Sequence, residues 1–185
     1  VLSEIHALAA ERGFEFHLAE TSDEVRRALM AFQPDVAFVC GWYRMLRRET
    51  LTIPPLGCWG VHNSLLPKYR GGAPLVWSII NGEPEIGSTV FRLGDGMDDG
   101  PILHRVRVPL GPDDTIADAL AAIERGLLAE LPAKWSALLA GEAALEPQEE
   151  AAATYCGQRC PDDGLIDWTR PAADVHNFIR AQSAP

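Results

Sequence analysis

The five residues Val36-Ala37-Phe38-Val39-Cys40 form an unbroken apolar run, and with the residues before it this run restricts the fold more than any other stretch of the chain. A continuous run of this length reads as a strand covered on both faces, not as one with a wet side. Upstream, Thr21 or Ser22 caps a helix whose face carries Val25, Leu29 and Phe32, and Pro34-Asp35 then turns the chain. Helix, tight turn and buried strand make the repeating unit of parallel α/β sheets. The expectation is an α/β fold with a Rossmann-like, mostly parallel sheet.

Further elements follow from the same rules. Leu2, Ile5, Leu8 and Ala9 stand at helical spacing before Gly13 stops the helix, and Phe14 to His17 alternates like a short strand. A short helix around Leu46 to Leu51 ends before Pro54-Pro55, and Cys58 to His62 reads as a strand. Ala73 to Asn81 is expected to be helical, with Pro74 in its first turn. Ser88 to Leu93 and Ile102 to Val108 alternate in period two around a Gly94-to-Pro101 loop and read as a strand pair. Thr115 and Asp118 can cap a long helix running to about Ala140, despite Gly126 and Pro132. Residues 142–153 read as an Ala/Glu-rich connector, Tyr155 to Trp168 as turns, and Pro171 to Arg180 as a last helix.

Composition narrows the function. A chain of 185 residues suffices for one domain with a real core and needs no metal or crosslink to hold it. The formal charge of -10 repels a phosphate backbone, which excludes general DNA binding and leaves only a local basic patch for any nucleic-acid contact. Cys40 and Cys58 sit in apolar runs and read as buried thiols, while Cys156 and Cys160 lack the partners of a zinc site. No histidine has metal-ligand spacing, so no metal is expected. Trp59, Trp77, Trp135 and Trp168 read as packing residues. With no apolar run of about 18 residues and no signal segment, the chain reads as soluble and cytoplasmic, with no membrane partner.

Chemistry concentrates in two stretches. His62 stands where a buried strand meets a loop bearing Gly71 and Gly72, at the carboxyl end of a strand, where open α/β sheets bind ligands. The loop Gly94-Asp95-Gly96-Met97-Asp98-Asp99-Gly100 sets three acidic residues among three glycines, an anionic segment able to orient a histidine or hold a cation.

These residues carry a resemblance. His62, Ser64-Leu65-Leu66-Pro67, Tyr69-Arg70-Gly71, Asn81-Gly82-Glu83 and Met97-Asp98-Asp99-Gly100 resemble the 10-formyltetrahydrofolate-dependent formyltransferases over nearly the whole chain. Lys68 through Leu75, Arg159 to Asp163 and Asp167-Trp168 are most similar to the enzymes acting on UDP-4-amino-4-deoxy-arabinose, with methionyl-tRNA formyltransferase a near neighbour.

The resemblance implies the formyltransferase fold, lacking the usual first strand-helix-strand. It implies a catalytic domain over 1–141, and a connector with the start of a C-terminal domain over 142–185. It implies a formyl group passed from 10-formyltetrahydrofolate to a primary amine, here that of an amino-sugar nucleotide. Methionyl-tRNA is the alternative acceptor, a hydroxyornithine side chain a third, and a folate-binding domain with weak or lost transfer the reading from another class.

In the resemblance His62 and Asp98 are catalytic. The histidine accepts or relays the proton that the amine must lose, and Asp98 fixes its tautomer and pairs with the imidazolium. Arg44, Met45 and Leu46, with Gly94, Asp95, Gly96 and Met97, match the segments that hold the folate, and Ser64, Tyr69, Arg70 and Gly71 match substrate contacts. One position departs: Gly60 stands where the family has an asparagine whose amide points at the developing oxyanion. Asn63 is expected to face the other way, and one lost donor costs about 10²–10³ in rate.

Overall fold

A computed structural model describes residues 2–42 and 44–183, so the last two residues of the 142–185 segment lie outside the described residues. In chain order the first elements are α1 (Leu2–Arg12), α2 (Ser22–Phe32), β1 (Ala37–Val39), α3 (Arg48–Leu51), β2 (Cys58–His62) and β3 (Arg70–Gly71). They are followed by α4 (Pro74–Ile80), β4 (Glu85–Arg92), β5 (Ile102–Pro109), α5 (Ile116–Leu139), β6 (Tyr155–Cys156) and α6 (Ala172–Arg180).

The main sheet runs β1-β2-β4-β5. β1 pairs parallel with β2, Val39 opposite Gly60. β2 and β4 are antiparallel, with Gly60 opposite Phe91 and His62 opposite Thr89, and β4 and β5 are antiparallel from Glu85–Pro109 onward. The fold is α/β and the sheet is mixed, its parallel pairing confined to β1 and β2 among the described residues. For β4 and β5 the physical reason is the short loop 93–101, which joins them as a hairpin, whereas a parallel pair needs a long crossover.

Alternation along β2 sets up the site. Trp59 is buried with Val90, Leu103 and Leu138 beneath α5. Cys58 packs with Leu46 and Leu51 on the opposite face, and Gly60 and His62, two and four residues on, share that face. Leu66, Phe91 and Ile102 form a further cluster beside Leu93.

Helix ends follow the expected chemistry. Thr21 and Glu24 form a capping box for α2, and Thr115 and Asp118 form one for α5. Gly126 serves the close packing of α5 on the sheet, because a Cβ there would run into Val106 Cγ1. α6 closes one end: Ala181 joins Leu75, Ile79, Ala119 and Ile123 in one cluster, and Arg180 donates to the carbonyls of Gly111 and Asp114 at 2.8 Å each.

Several expectations are corrected. Residues 14–20 form no strand, since no described strand lies beside them to pair with, and the His6 ring instead stacks near Phe16 at 4.8 Å. Leu2, Ile5 and Leu8 are exposed and only Ala9 of α1 is buried. β1 is the edge strand of the described sheet: Ala37 and Val39 pack on the Leu46–Leu51–Cys58 cluster on one face, while the other is only partly covered, leaving Phe38 44% exposed beside Trp135 and Cys40 exposed past the strand end. Trp168 is also exposed and packs in no described core.

Residues 142–153 are more than a free connector. Glu146 bridges Ile102 through N–H···O bonds of 2.7 and 2.9 Å, and its carboxylate meets Arg105. Beyond it, β6 pairs parallel with β3, Arg70 opposite Tyr155 and Gly71 opposite Cys156. No described helix is long and apolar enough to cross a membrane.

Helix propensity favours Ala over Gly by about 1 kcal/mol, whereas overpacking costs about 1–3 kcal/mol. Gly126→Ala is therefore expected to lower the unfolding free energy, and chemical denaturation measures it; an increase would mean that α5 is free to move off Val106.

Candidate active site

β2 delivers His62 to the site with its ring nearly enclosed, edge-on to Phe91 at 6.4 Å between centroids. Its Nε2 lies 2.7 Å from the Tyr69 carbonyl oxygen. A carbonyl only accepts, so Nε2 carries the hydrogen and the neutral ring keeps its lone pair on Nδ1. Asp98 Oδ2 stands 3.6 Å from that Nδ1. Two lone pairs facing each other at this separation make no hydrogen bond but leave room for one proton between them. The tautomer is thus set by Tyr69 from the far side of the ring, and not by Asp98 as the sequence suggested.

Asp98 is positioned by backbone. Its own φ is 51°, a left-handed conformation uncommon outside glycine, and its Oδ2 accepts the Gly71 N–H at 2.8 Å. Gly71 has φ 104°, and a Cβ there would collide with the Cys156 carbonyl oxygen. Only glycine lets this strand edge come so close.

The pair sits in a cleft of about 450 Å³, a size typical of small-molecule sites. Arg44, Met45, Leu46, Gly94, Gly96 and Met97 all line it, as do Gly60 and Gly71. Val39, Leu51, Phe91 and Leu93 add apolar wall. Asp95 does not line the cleft; its carboxylate meets Arg48 at 3.2 Å in solvent.

Three expected substrate contacts lie elsewhere. Ser64 is buried, donating to the Lys68 carbonyl at 2.7 Å while its own carbonyl accepts from Thr89 Oγ1. Tyr69 turns its phenol away to donate to Glu83 at 2.7 Å, and only its carbonyl faces His62. Arg70 is 1% exposed, its guanidinium donating to Gln148, Glu150 and the Tyr155 hydroxyl. Asn63 is not among the residues lining the cleft, and its Oδ1 lies 3.1 Å from Ser88 Oγ, so its amide does not replace the one absent at position 60. The space beside Gly60 is taken: a Cβ there would lie 2.8 Å from Leu93 Cδ2 and 3.3 Å from Phe91 Cε1.

Sequence reasoning missed Cys156, Gly157 and Gln158, which line the cleft. It read them as turns, because the β3–β6 pairing that brings them there has no local signal in so short a strand. Trp77 supports this segment by donating from Nε1 to the Gly157 carbonyl at 2.9 Å. Burial, and then the charge of Asp98, push the Cys156 thiol up to about 11. Thiolate is the reactive form. Alkylation of the folded protein at pH 8 is expected to reach the exposed Cys40 and Cys160 well before Cys156, whose labelling rises only as the pH approaches 11. Mass spectrometry of peptides over time checks the order, and early Cys156 labelling would contradict the burial.

A formyl transferase family model matches residues 5–127. The methionyl-tRNA formyltransferase of Trichlorobacter lovleyi is 37% identical over 185 residues, covering 97% of this chain and 58% of its own. That of Synechococcus sp. is 42% identical over 163 residues, covering 86% and 50%. The chain spans little more than half the length of these relatives. HypX from Aquifex aeolicus, solved with tetrahydrofolic acid, superposes with TM-score 0.78 at 19% identity over 95% of this chain and 31% of that one. An N-formyltransferase from Helicobacter canadensis, solved with folinic acid and dTDP-3-aminofucose, gives 0.66 at 22% identity over 78% and 53%. At such identities the two structures establish likeness of fold.

Proposed function

Because the chain belongs to the formyl transferase family, we propose that it houses the centre that moves a formyl group from 10-formyltetrahydrofolate to a primary amine. The observation that carries this reading is the His62 Nδ1–Asp98 Oδ2 approach of 3.6 Å on the lining of one cleft. The wall suits a flat heteroaromatic donor: apolar side chains from Val39 to Leu93 form its sides, and Gly94, Gly96, Met97 and Asp98 line it beside them. Arg44, Met45, Leu46, Gly94, Gly96 and Met97 would hold the folate, which supplies the activated formyl carbon.

The chain's own contribution is proton management and geometry. As an amine attacks a carbonyl carbon it becomes cationic and must shed a proton. His62 Nδ1 is the available base, since Nε2 is committed to Tyr69. A proton taken there lies against Asp98, so the carboxylate compensates the charge where it forms. Asp98 keeps that aim through the Gly71 N–H.

For the acceptor, the names of relatives at 37–42% identity favour methionyl-tRNA over the amino-sugar nucleotide that the 68–75 stretch suggests. A local basic patch is what a chain of charge -10 needs for that role. Arg44 and Arg47 are exposed on the segment that borders the cleft, with Arg48 beside them paired to Asp95. The sugar reading draws on the Helicobacter canadensis neighbour, whose likeness speaks for fold. Gly60 supports the third reading, a folate-binding domain with little transfer.

Formyl-transfer assays with methionyl-tRNA and with UDP-4-amino-4-deoxy-arabinose, run beside 5-formyltetrahydrofolate binding, separate the three. Transfer to methionyl-tRNA is the expected result, and binding without transfer to either amine would favour the silent domain. His62→Ala and Asp98→Asn are each expected to lower kcat by about 10²-fold or more with folate affinity nearly kept; wild-type rates in both would end this reading.

A second prediction concerns Gly60. Gly60→Asn alone must displace Leu93, so its gain in rate is expected to exceed about tenfold only when combined with Leu93→Ala. No gain in the double variant, folded and folate-binding, would show that an amide at position 60 is not what limits the rate.

A further inference from the structure

Gln148 lies fifty positions beyond Asp98 in a stretch that reads as a connector, yet its carboxamide is used completely. Its Nε2 donates to the Asp98 carbonyl at 2.8 Å and to the Gly100 carbonyl at 2.7 Å. Its Oε1 accepts from Arg70 Nε at 3.2 Å and Arg70 Nη2 at 3.0 Å. The orientation is dictated by the partners, for a flipped amide would set N–H groups against a guanidinium and an oxygen against two carbonyls.

Both ends of this bridge matter. Arg70 is a fixed post: it is buried, it donates from Nη1 to Glu150 at 2.8 Å and to the Tyr155 hydroxyl at 3.0 Å, and its backbone is paired to β6. Asp98 is the strained end, with φ 51°. A non-glycine residue persists in that region only where its surroundings over-determine it. Gly71 holds the carboxylate and Gln148 holds the carbonyl of the same residue, from two directions.

We propose that Gln148 is a positioning residue for Asp98, tying the backbone of the 98–100 turn to the buried Arg70 guanidinium and so aiming the carboxylate at His62. The proposal rests on the reading of His62 and Asp98 as the catalytic pair. Gln148 touches no reacting atom; it acts through the conformation of Asp98.

Two variants in the full protein test it. Gln148→Glu keeps an oxygen for Arg70 but loses both N–H donors and turns a carboxylate toward two carbonyls. Gln148→Ala removes both functions. Each is expected to lower kcat by about 10- to 100-fold, as misplacement of a catalytic group does, with KM for the folate within about threefold of the parent. Unfolding midpoints of both variants, measured beside turnover and lying above the assay temperature, separate the loss of aim from a simple folding defect. A readout independent of turnover is amide hydrogen exchange at Gly71, whose N–H is bonded to Asp98: it should quicken several-fold in both variants, with α5 amides unchanged.

In an Asp98→Asn background, Gln148→Glu should cost little more, because the group it positions is already disabled. Full activity and slow Gly71 exchange in Gln148→Glu would overturn the proposal, as would a loss that simply multiplies with that of Asp98→Asn. If Asp98→Asn is itself fully active, the catalytic reading of the pair fails and the aiming role fails with it, while exchange at Gly71 still reports whether Gln148 holds the turn.

Discussion

The backbone from Tyr69 to Gly71 is the part on which the rest of the site depends. Its first carbonyl takes the hydrogen of His62 Nε2, and its last N–H is given to Asp98. Three consecutive residues therefore set both the tautomer of the imidazole and the place of the carboxylate. Tyr69, at φ 58°, is left-handed, as is Gly71. That conformation is held from outside: Tyr69 N–H donates to Thr154 Oγ1, Arg70 N–H to the Thr154 carbonyl, and Gly72 N–H to the Cys156 carbonyl. A buried polar group left unpaired costs about 1–3 kcal/mol, so the bond from the buried Arg70 resists a shift of the segment most.

This arrangement explains the burial of Arg70, which at first sight wastes a cation. A guanidinium presents donors in a fixed fork, and here that fork meets Gln148, Glu150 and Tyr155. Residues 146–156 are thereby stitched to the hairpin on one side and to β3 on the other, through Glu146–Ile102 and the β3–β6 pairing. The cost of burying the charge is met by pairing, and the outcome is geometric: a late segment of the chain becomes the back wall of a site whose chemistry lies earlier.

Electrostatics and packing divide the labour across the molecule. The face of the sheet beneath α5 is dry, with Trp59 of β2 and Val90 of β4 at its centre. The opposite face carries Gly60 and His62 and opens to the cleft. Such a split follows from strand alternation, yet His62 meets a carboxylate on the polar face only because the acidic turn 94–100 is folded back over it. Gly100 permits that return, since a Cβ there would strike the Arg92 carbonyl oxygen.

Much was legible in the residues themselves. Period and caps located α2, β2, β4, β5 and α5, because capping boxes, apolar alternation and Pro/Gly punctuation are local signals. The motif around His62 and the acidic loop announced the pair, and the 44–46 and 94–97 segments do line its cleft, Asp95 excepted. What no local pattern could reveal is who holds these groups. Ser64, Tyr69 and Arg70 have the chemistry of ligand contacts, but their side chains are spent on Lys68, Glu83 and Gln148. Cys40 is as apolar in sequence as Cys58, but only Cys58 stands inside the sheet. Local residue types determine which hydrogen bonds and burials are possible. The tertiary structure decides which are made, because partners 41 to 87 positions apart meet only once the 146–156 segment has docked.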